Sequence, residues 1–554
     1  MLGLPFTDEG EKLEEPPPTW DWNLSNSLHR QARRDASQIW IEEIETGAHA
    51  TFGQMDERST KIASALNRRG IGPGRRVLIN VANSIDFVAV LFGVVRSGAV
   101  AVPINTELSG AMLTHVCRDI DCDFLFADDR GVEKFAKIAA DVPEIRSLVL
   151  VGSSDLGKIG ALSISALSEF EASEPQTDFQ EPVTNESSPA VIIYTSGTTG
   201  PAKGVILPQA HLFQNAWLYI SQIRVTVDDV VYCALPLFHN NGMTLQLYVS
   251  LIVGCRLVIR KRFSASAWID DIRKSKATVT NLLGSMTEFI FAQPQRSHDA
   301  DNHLRHIVAV PTPESIRKQF EQRFALRLVE LYGMTEITCP LYMPIDGTGR
   351  RGSCGRLLRD WFEVRIVDPQ SDVEVPAGAV GELIVRPLRP HGFMQSYFRR
   401  SEETVQAWRN LWFHTGDAMR CDDEGFYYFV DRLKDCVRRR GENISSVEVE
   451  QLISKYDAVE EVAVVGVSSP TSENEQEIKA CVVLRRNVTP QEIFDFCAIN
   501  LPQFAIPRVI EVVQTLPKTS TGKVEKAVLR AAGITKESWV SSDINKPRKS
   551  ACPT

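Results

Sequence analysis

The sequence predicts an α/β fold: a large N-terminal domain of two stacked α/β subdomains plus a β-rich subdomain, followed by a small α+β C-terminal domain. Three observations carry this reading. Strand-like and helix-like apolar patterns alternate through residues 39–105, an apolar helix, a glycine and a strand recur at residues 245–260, and beyond residue 352 the pattern turns to short alternating segments.

The elements follow in order. The segment IWIEEIETGAHATF has a β pattern, and MDERSTKIASALNRRG, with apolar residues at three- and four-residue intervals before Gly70, reads as a helix. VLINVAN, SIDFVAVLFGVVRSG and AVAVPIN repeat strand, helix and strand, and such a crossover makes the strands parallel. LQLYVSLIVGCRLVIR is a weak echo of the same scheme, hence the second α/β subdomain. SEFEASEPQTDFQEPVTNESSP is polar and rich in turn formers, so it reads as an exposed connection leading into a buried strand, AVIIYT. FEVRIVDP, VGELIVRP and GFYYFVD, separated by Gly and Pro turns, form the β-rich part between about residues 352 and 430. VEVEQLISKY, AVEEVAVVGV, EIKACVVLRR and PQEIFDFCAIN then alternate helix and strand over a last stretch of roughly 120 residues, a typical domain length.

Composition narrows the function classes. A chain of 554 residues with 43% hydrophobic and 24% charged residues is that of an ordinary globular protein, and a net charge of −9 provides no global drive toward nucleic acid or anionic lipid. The 11 cysteines are too dilute for a disulfide scaffold, and Cys117 and Cys122 have neither CxxC spacing nor zinc-finger histidines nearby, so buried free thiols in a reducing compartment are expected. Residues 1–24 carry acids where a signal peptide needs a basic start and an apolar run; they read as a disordered lead-in, with a cytoplasmic location. The most apolar stretch, Phe87 to Ile104, contains Arg96, Gly98 and Pro103, so no integral membrane helix is expected.

The most informative segment is YTSGTTGPAKGV, Tyr194 to Val205. Glycines let backbone N–H groups turn toward an anion, four hydroxyls add donors, and a lysine adds charge, so the loop suits phosphate. A Walker loop is excluded, because neither Gly197 nor Gly200 is followed at the required distance by Gly-Lys-Ser/Thr.

This segment resembles the phosphate-loop signature of the adenylate-forming superfamily: acyl-CoA synthetases, peptide-synthetase adenylation domains and beetle luciferases. Six further matches stand in family order: GVVRSGAVAVPIN, LPLFHNNG (Leu235 to Gly242), LYGMTE (Leu331 to Glu336), WFHTGD (Trp412 to Asp417), DRLKDCVRRRGENISSVEVE (Asp431 to Glu450) and LPKTSTGKVEK (Leu516 to Lys526). The wording GENISS after RR looks most like the carnitine or crotonobetaine CoA-ligase branch.

The resemblance implies an AMP-forming carboxylic acid–CoA ligase that uses ATP, Mg²⁺ and coenzyme A and works through an acyl-adenylate. By similarity Thr195, Ser196, Gly197, Thr198, Thr199, Gly200 and Lys203 hold the β- and γ-phosphates, Thr335 contacts the α-phosphate and Glu336 helps place the metal. A hard cation needs oxygen ligands, which Glu336 supplies. Tyr332 matches the aromatic on adenine, Val310 and Pro311 the adenine segment, and Asp417 and Arg432 the ribose or phosphate contacts. Lys523 matches the mobile catalytic lysine, and Lys434 the hinge between a domain at residues 25–431 and a mobile C-terminal domain at 435–554, with residues 432–434 as the connection. His239, Asn240, Asn241, Ser285, Gly333, Met334 and Thr338 fall around the acyl group, within walls that include residues 281–286.

Arg439, Arg440, Gly441 and Glu442 are matched to the coenzyme A route: Gly441 permits close approach of the pantetheine chain, and arginines, including Arg438, meet its phosphates. Amino-acid-activating relatives carry an aspartate near His239, and its absence favours a plain carboxylic acid as the small-molecule partner. Two departures stand out: Asp431 replaces the usual glycine before the arginine, and AVPTP begins with Ala309 where glycine is usual. The alternatives are an adenylating enzyme that loads a carrier protein in trans and a nucleotide-binding sensor, the latter opposed by the joint presence of Lys523, Glu336 and Asp417. Monomer and homodimer are both open at this stage.

Overall fold

The computed structural model describes residues 16, 18, 22–152, 159–160, 162–172, 179–195, 202–433, 435, 437–439, 442–469, 472–501, 505–519 and 522–541. The chain forms two compact units, one from Met1–Glu363 with Val385–Phe413, the other from Val364–Ile384 with His414–Thr554.

The first unit holds two large sheets. One runs Ser396–Tyr397, Lys203–Pro208, Pro189–Thr195, Val100–Pro103, Arg76–Asn80, Phe124–Asp128, Ser147–Val151, Ser163–Ala166, parallel except for Lys203–Pro208, which is antiparallel to both its neighbours. The second runs Arg327–Val329, His306–Val310, Val279–Leu283, Val230–Cys233, Arg256–Ile259, Ile39–Glu43, His49–Thr51, parallel up to its terminal hairpin. The mixed α/β class and the two subdomains are as the alternating patterns require.

The structure differs from sequence expectation in three places. The first strand, Ile39–Glu43, forms a hairpin with His49–Thr51 and on its other side pairs with Arg256–Ile259 in the second sheet, Ile41 opposite Leu257, not with the strands Arg76–Asn80 and Val100–Pro103. The reason is packing: Trp40 stacks on Phe52 and meets Phe92 edge-on, which holds the strand beside helices Phe52–Arg68 and Ile85–Arg96. Order also begins earlier than the expected lead-in of residues 1–24 allows, because Trp22 is buried against Phe213 and Trp361 and Asn23 caps the helix Leu24–Arg34. Finally, the stretch LQLY lies in a π-helical segment, Met243–Tyr248, before the helix Val249–Val253.

Every residue of helix Ile85–Arg96 except Asp86 is buried. Its one cation, Arg96, is tolerated because Asp56 and Glu181 lie 2.7 and 2.8 Å away with His29 against them. Among the described residues no helix is long and apolar enough to cross a membrane.

In the second unit, strands Phe413–Cys421 and Phe426–Arg432 pair antiparallel, and a sheet of Val459–Ser469, Ser472–Leu484, Val509–Val512 and Trp539–Val540 carries helices Ser446–Ile453 and Pro490–Asn500 on one face. The expected boundary after Asp431 thus falls inside this unit. The side chain of Asp431 explains it: Oδ2 accepts from the N–H and the hydroxyl of Ser446, both at 2.6 Å, anchoring the start of helix Ser446–Ile453 to the hairpin. A glycine there, the usual residue, would lack this link.

Candidate active site

In the first unit, strands Pro189–Thr195 and Lys203–Pro208 are antiparallel neighbours with Thr195 directly opposite Lys203. Ser196, Gly197, Thr198, Thr199 and Gly200 lie outside the described residues. Lys203 forms an ion pair with Glu403, and its ammonium sits 5.3 Å from the centre of the Tyr397 ring. Tyr397 belongs to the two-residue strand that pairs with Val205 and Ile206, which is why it lies beside Lys203. Its hydroxyl donates to Glu336 Oε1 at 3.0 Å.

Glu336 and Thr335 lie in the turn between strands Leu331–Met334 and Thr338–Tyr342. The turn is tight: a Cβ on Gly333 would lie 2.4 Å from the Thr338 carbonyl oxygen and 2.5 Å from Cys339 Sγ. Thr338, buried, has φ of +65°, a strained value for a β-branched residue. Glu336 is 6% exposed. Beneath this turn is His211, fully buried on helix Gln209–Ile223 and lying against the Thr335 backbone; burial pushes its pKa down to about 3, so the ring is neutral. Tyr332 is buried in the same hairpin, while Met334 and Thr335 are half-buried.

The expected adenine segment ends the strand His306–Val310. Thr312 donates to the Ala309 carbonyl at 3.1 Å, and Pro311 packs on Gly284, where a Cβ would come within 2.7 Å of its oxygen. Glu330 lies next to it, hydrogen-bonded to Thr312; burial raises its pKa to about 7 against the pull of Arg317.

The segment Leu235 to Gly242 is held from the first sheet. Asn83 donates to the Leu235 carbonyl at 2.8 Å and accepts from the Leu237 N–H at 2.8 Å. His239, Asn240 and Asn241 follow, all half-buried, and Gly242 is required because a Cβ would overlap the Pro236 oxygen at 2.5 Å. Asn241 accepts from Asn281 Nδ2 at 2.7 Å; Ser285 is half-buried at the start of helix Gly284–Phe291.

The second unit holds the remaining expected residues. Asp417 is 1% exposed and pairs with Arg432 Nε at 2.8 Å, the two standing opposite each other across the hairpin. Lys523 lies in a small turn closed by the Thr519 N–H donating to its carbonyl at 2.7 Å, with Gly522 at φ of +81°. Much of its side chain is exposed, yet surrounding protein and the like charge of Arg432 lower its pKa. Lys434, Arg440 and Gly441 lie outside the described residues, and Arg439 and Glu442 are described only as backbone partners in a short antiparallel pair.

Sequence reasoning missed Tyr397, Glu403, His211, Glu330 and Asn83. Their residue types carry no motif, and only pairing or burial brings them to the loop and turn.

The described residues combine a cation, Lys203, a buried carboxylate, Glu336, and a hydroxyl, Thr335, which suits polyphosphate chemistry. Residues 28–398 match the model of the AMP-binding enzyme family, and residues 448–523 that of the AMP-binding enzyme C-terminal domain. Among curated relatives, the crotonobetaine/carnitine–CoA ligase of Salmonella heidelberg (strain SL476) is 30% identical over 490 residues, covering 87% of this chain and 93% of the relative; the corresponding ligase of Salmonella agona (strain SL483) is 29% identical over the same length. Among solved structures, a benzoate CoA ligase from Burkholderia xenovorans LB400 superposes with a TM-score of 0.79 at 25% identity, over 92% of this chain and 99% of that one. The anthranilate CoA ligase AuaEII in complex with anthranoyl-AMP gives 0.81 at 24% identity, over 93% and 98%, a likeness of fold.

Proposed function

The chain belongs to the AMP-binding enzyme family, and on that premise we propose that it is an ATP-dependent acid–CoA ligase, with a domain at residues 25–431, a hinge at Lys434 and a mobile domain at 435–554. A carboxylate oxygen attacks the α-phosphorus of ATP, the bond to pyrophosphate breaks, and an acyl-adenylate forms. The sulfur of coenzyme A, losing its proton, then attacks the acyl carbon and AMP leaves.

One observation carries the reading: Tyr397 meets Lys203 on its ring and Glu336 at its hydroxyl, so the phosphate cation and the acidic turn share one support. Charge developing on the α-phosphate and the leaving pyrophosphate must be met by donors fixed in advance, and this shared support prepares them. Lys203 neutralises the β- and γ-phosphates, Thr335 donates to the α-phosphate, and Lys523 adds a cation there during adenylation. The lowered pKa of Lys523 reflects partial desolvation, which strengthens its interaction with an anion. Asp417 takes the ribose hydroxyls once Arg432 turns to the phosphates.

Glu336 fits a Mg²⁺ site, since one buried carboxylate with phosphate oxygens and waters completes the coordination that this ion prefers. Bound there, Mg²⁺ would offset phosphate charge. Such binding uses Tyr332, Val310 and Pro311 for adenine; Arg439, Arg440, Gly441 and Glu442 guide the thiol. The test is AMP release from ATP and Mg²⁺ with a panel of aliphatic, aryl and betaine acids, with and without coenzyme A, with mass detection of thioesters. Acid-dependent AMP with a CoA thioester is expected; acid-dependent pyrophosphate exchange without any thioester would refute the acceptor and favour a carrier protein.

A further inference from the structure

Resting on the ligase reading, we propose that Asn241 is a specificity residue that selects acids bearing a neutral hydrogen-bond acceptor, such as a ketone carbonyl, away from the carboxylate. Tyr219 is fully buried on helix Gln209–Ile223. Its hydroxyl donates to Asn281 Oδ1 at 2.6 Å, and Asn281 Nδ2 donates to Asn241 Oδ1 at 2.7 Å. The direction of this chain is set at its buried end. With Asn281 Oδ1 taken by Tyr219, its amide nitrogen must face Asn241, and Asn241 must present its oxygen to Asn281. Two N–H donors on Asn241 are then left over, and they take no protein acceptor among the described residues.

Tyr219 and Asn281 place polar groups at 0% exposure where aliphatic residues would pack without desolvation. Their effect is to fix the rotamer of a half-buried asparagine between His239 and the forced turn at Gly242. The π-helical segment Met243–Tyr248 begins directly after that turn, and such irregularities are frequent at functional sites. Asn241 is also an expected acyl contact that is hydrogen-bonded to a fully buried side chain, Asn281.

The chemistry of the wall defines the acceptor. His239, Asn240 and Asn241 include no carboxylate to pair with a quaternary ammonium group and no fixed cation to neutralise a second carboxylate. A neutral carbonyl oxygen suits a preset amide donor without either charge cost. Tyr219 and Asn281 are positioning residues that act through Asn241.

The experiment compares matched acids in the AMP-release and thioester assay: 4-oxopentanoate, 5-oxohexanoate and 6-oxoheptanoate against 4-methylpentanoate, 5-methylhexanoate and 6-methylheptanoate, with 4-(trimethylammonio)butanoate as a cationic arm. The pairs differ in whether a carbonyl oxygen or a methyl group branches from the chain. At one chain length the native enzyme should prefer the oxo acid in kcat/KM by about ten-fold, the discrimination of one good hydrogen bond. Asn241→Leu should remove that preference. Tyr219→Phe, which keeps the ring and deletes the donor, should reduce it through KM for the oxo acid while leaving kcat and the branched acid nearly unchanged. A preference for the branched acids or for the ammonium acid, or an oxo preference unchanged in both variants, would overturn the inference with the ligase reading intact. No AMP release with any acid would overturn the ligase reading and the inference with it.

Discussion

Replacing Tyr397 with phenylalanine tests the support at the centre of the proposed site. The change removes one oxygen and keeps the ring that lies 5.3 Å from the Lys203 ammonium, so the cation contact survives. What is lost is the 3.0 Å hydrogen bond to Glu336 Oε1, an acceptor at 6% exposure. A hydrogen bond to a charged group contributes about 1.5–3 kcal/mol. Tyr397 itself is half-buried, so water replaces part of the lost bond and the lower end, about 1.5 kcal/mol, applies; that is about ten-fold in an equilibrium constant. The assay is pyrophosphate exchange as a function of free Mg²⁺ at saturating ATP. The variant should need about ten-fold more Mg²⁺ for half-maximal rate. Full rate should return at high Mg²⁺, because the carboxylate remains. A Mg²⁺ titration superimposable on that of the native enzyme would refute the positioning of Glu336 by Tyr397, and a loss that Mg²⁺ does not restore would refute its link to the metal.

Other predictions follow from the same structure. Lys523→Ala should bind ATP normally and lose most adenylate formation; wild-type initial rates would refute its role. Glu330, whose pKa is raised by burial to about 7, binds its proton more tightly folded than unfolded, so its contribution to stability falls as pH rises from about 4.5 to 7. Glu330→Gln should therefore unfold at higher denaturant than the native chain at pH 8, by up to about 3 kcal/mol, and match it near pH 4.5; parallel pH curves would refute this. His29 behaves oppositely: hydrogen bonds to Asp56 and Glu181 raise its pKa to about 9 against Arg96, so its stabilisation is complete below about pH 6.5 and is lost as pH rises through 9. With a ring about one-third exposed, solvent screening reduces the effect to about 1–2 kcal/mol, and a His29→Gln variant should differ from the native chain in urea midpoint at pH 6 but not at pH 10.

Much of this protein is local in its chain. Alternating apolar periods specify the parallel sheets because a strand–helix–strand unit buries its apolar faces whichever sheet it joins. Thr335 and Glu336 are legible as candidates because the motif that carries them is a short run of neighbours whose spacing the backbone preserves.

Other features depend on residues far apart in sequence, and no period or motif encodes them. Ile39–Glu43 is legible as a strand, but its sheet is not: it lies beside Arg256–Ile259 in the second sheet, with Trp40 packed on Phe52 and Phe92. Asp431 reads as a departure from a glycine, and only the position of Ser446 shows that its carboxylate starts a helix. Tyr397 lies 61 residues from Glu336, and Tyr219 reaches Asn241 only through Asn281. Sequence alone determined the fold class and named the candidate site residues, since these rest on local patterns; tertiary structure decided what holds those residues in place, since hydrogen bonds and ring contacts act over distances in space that the order of residues does not record.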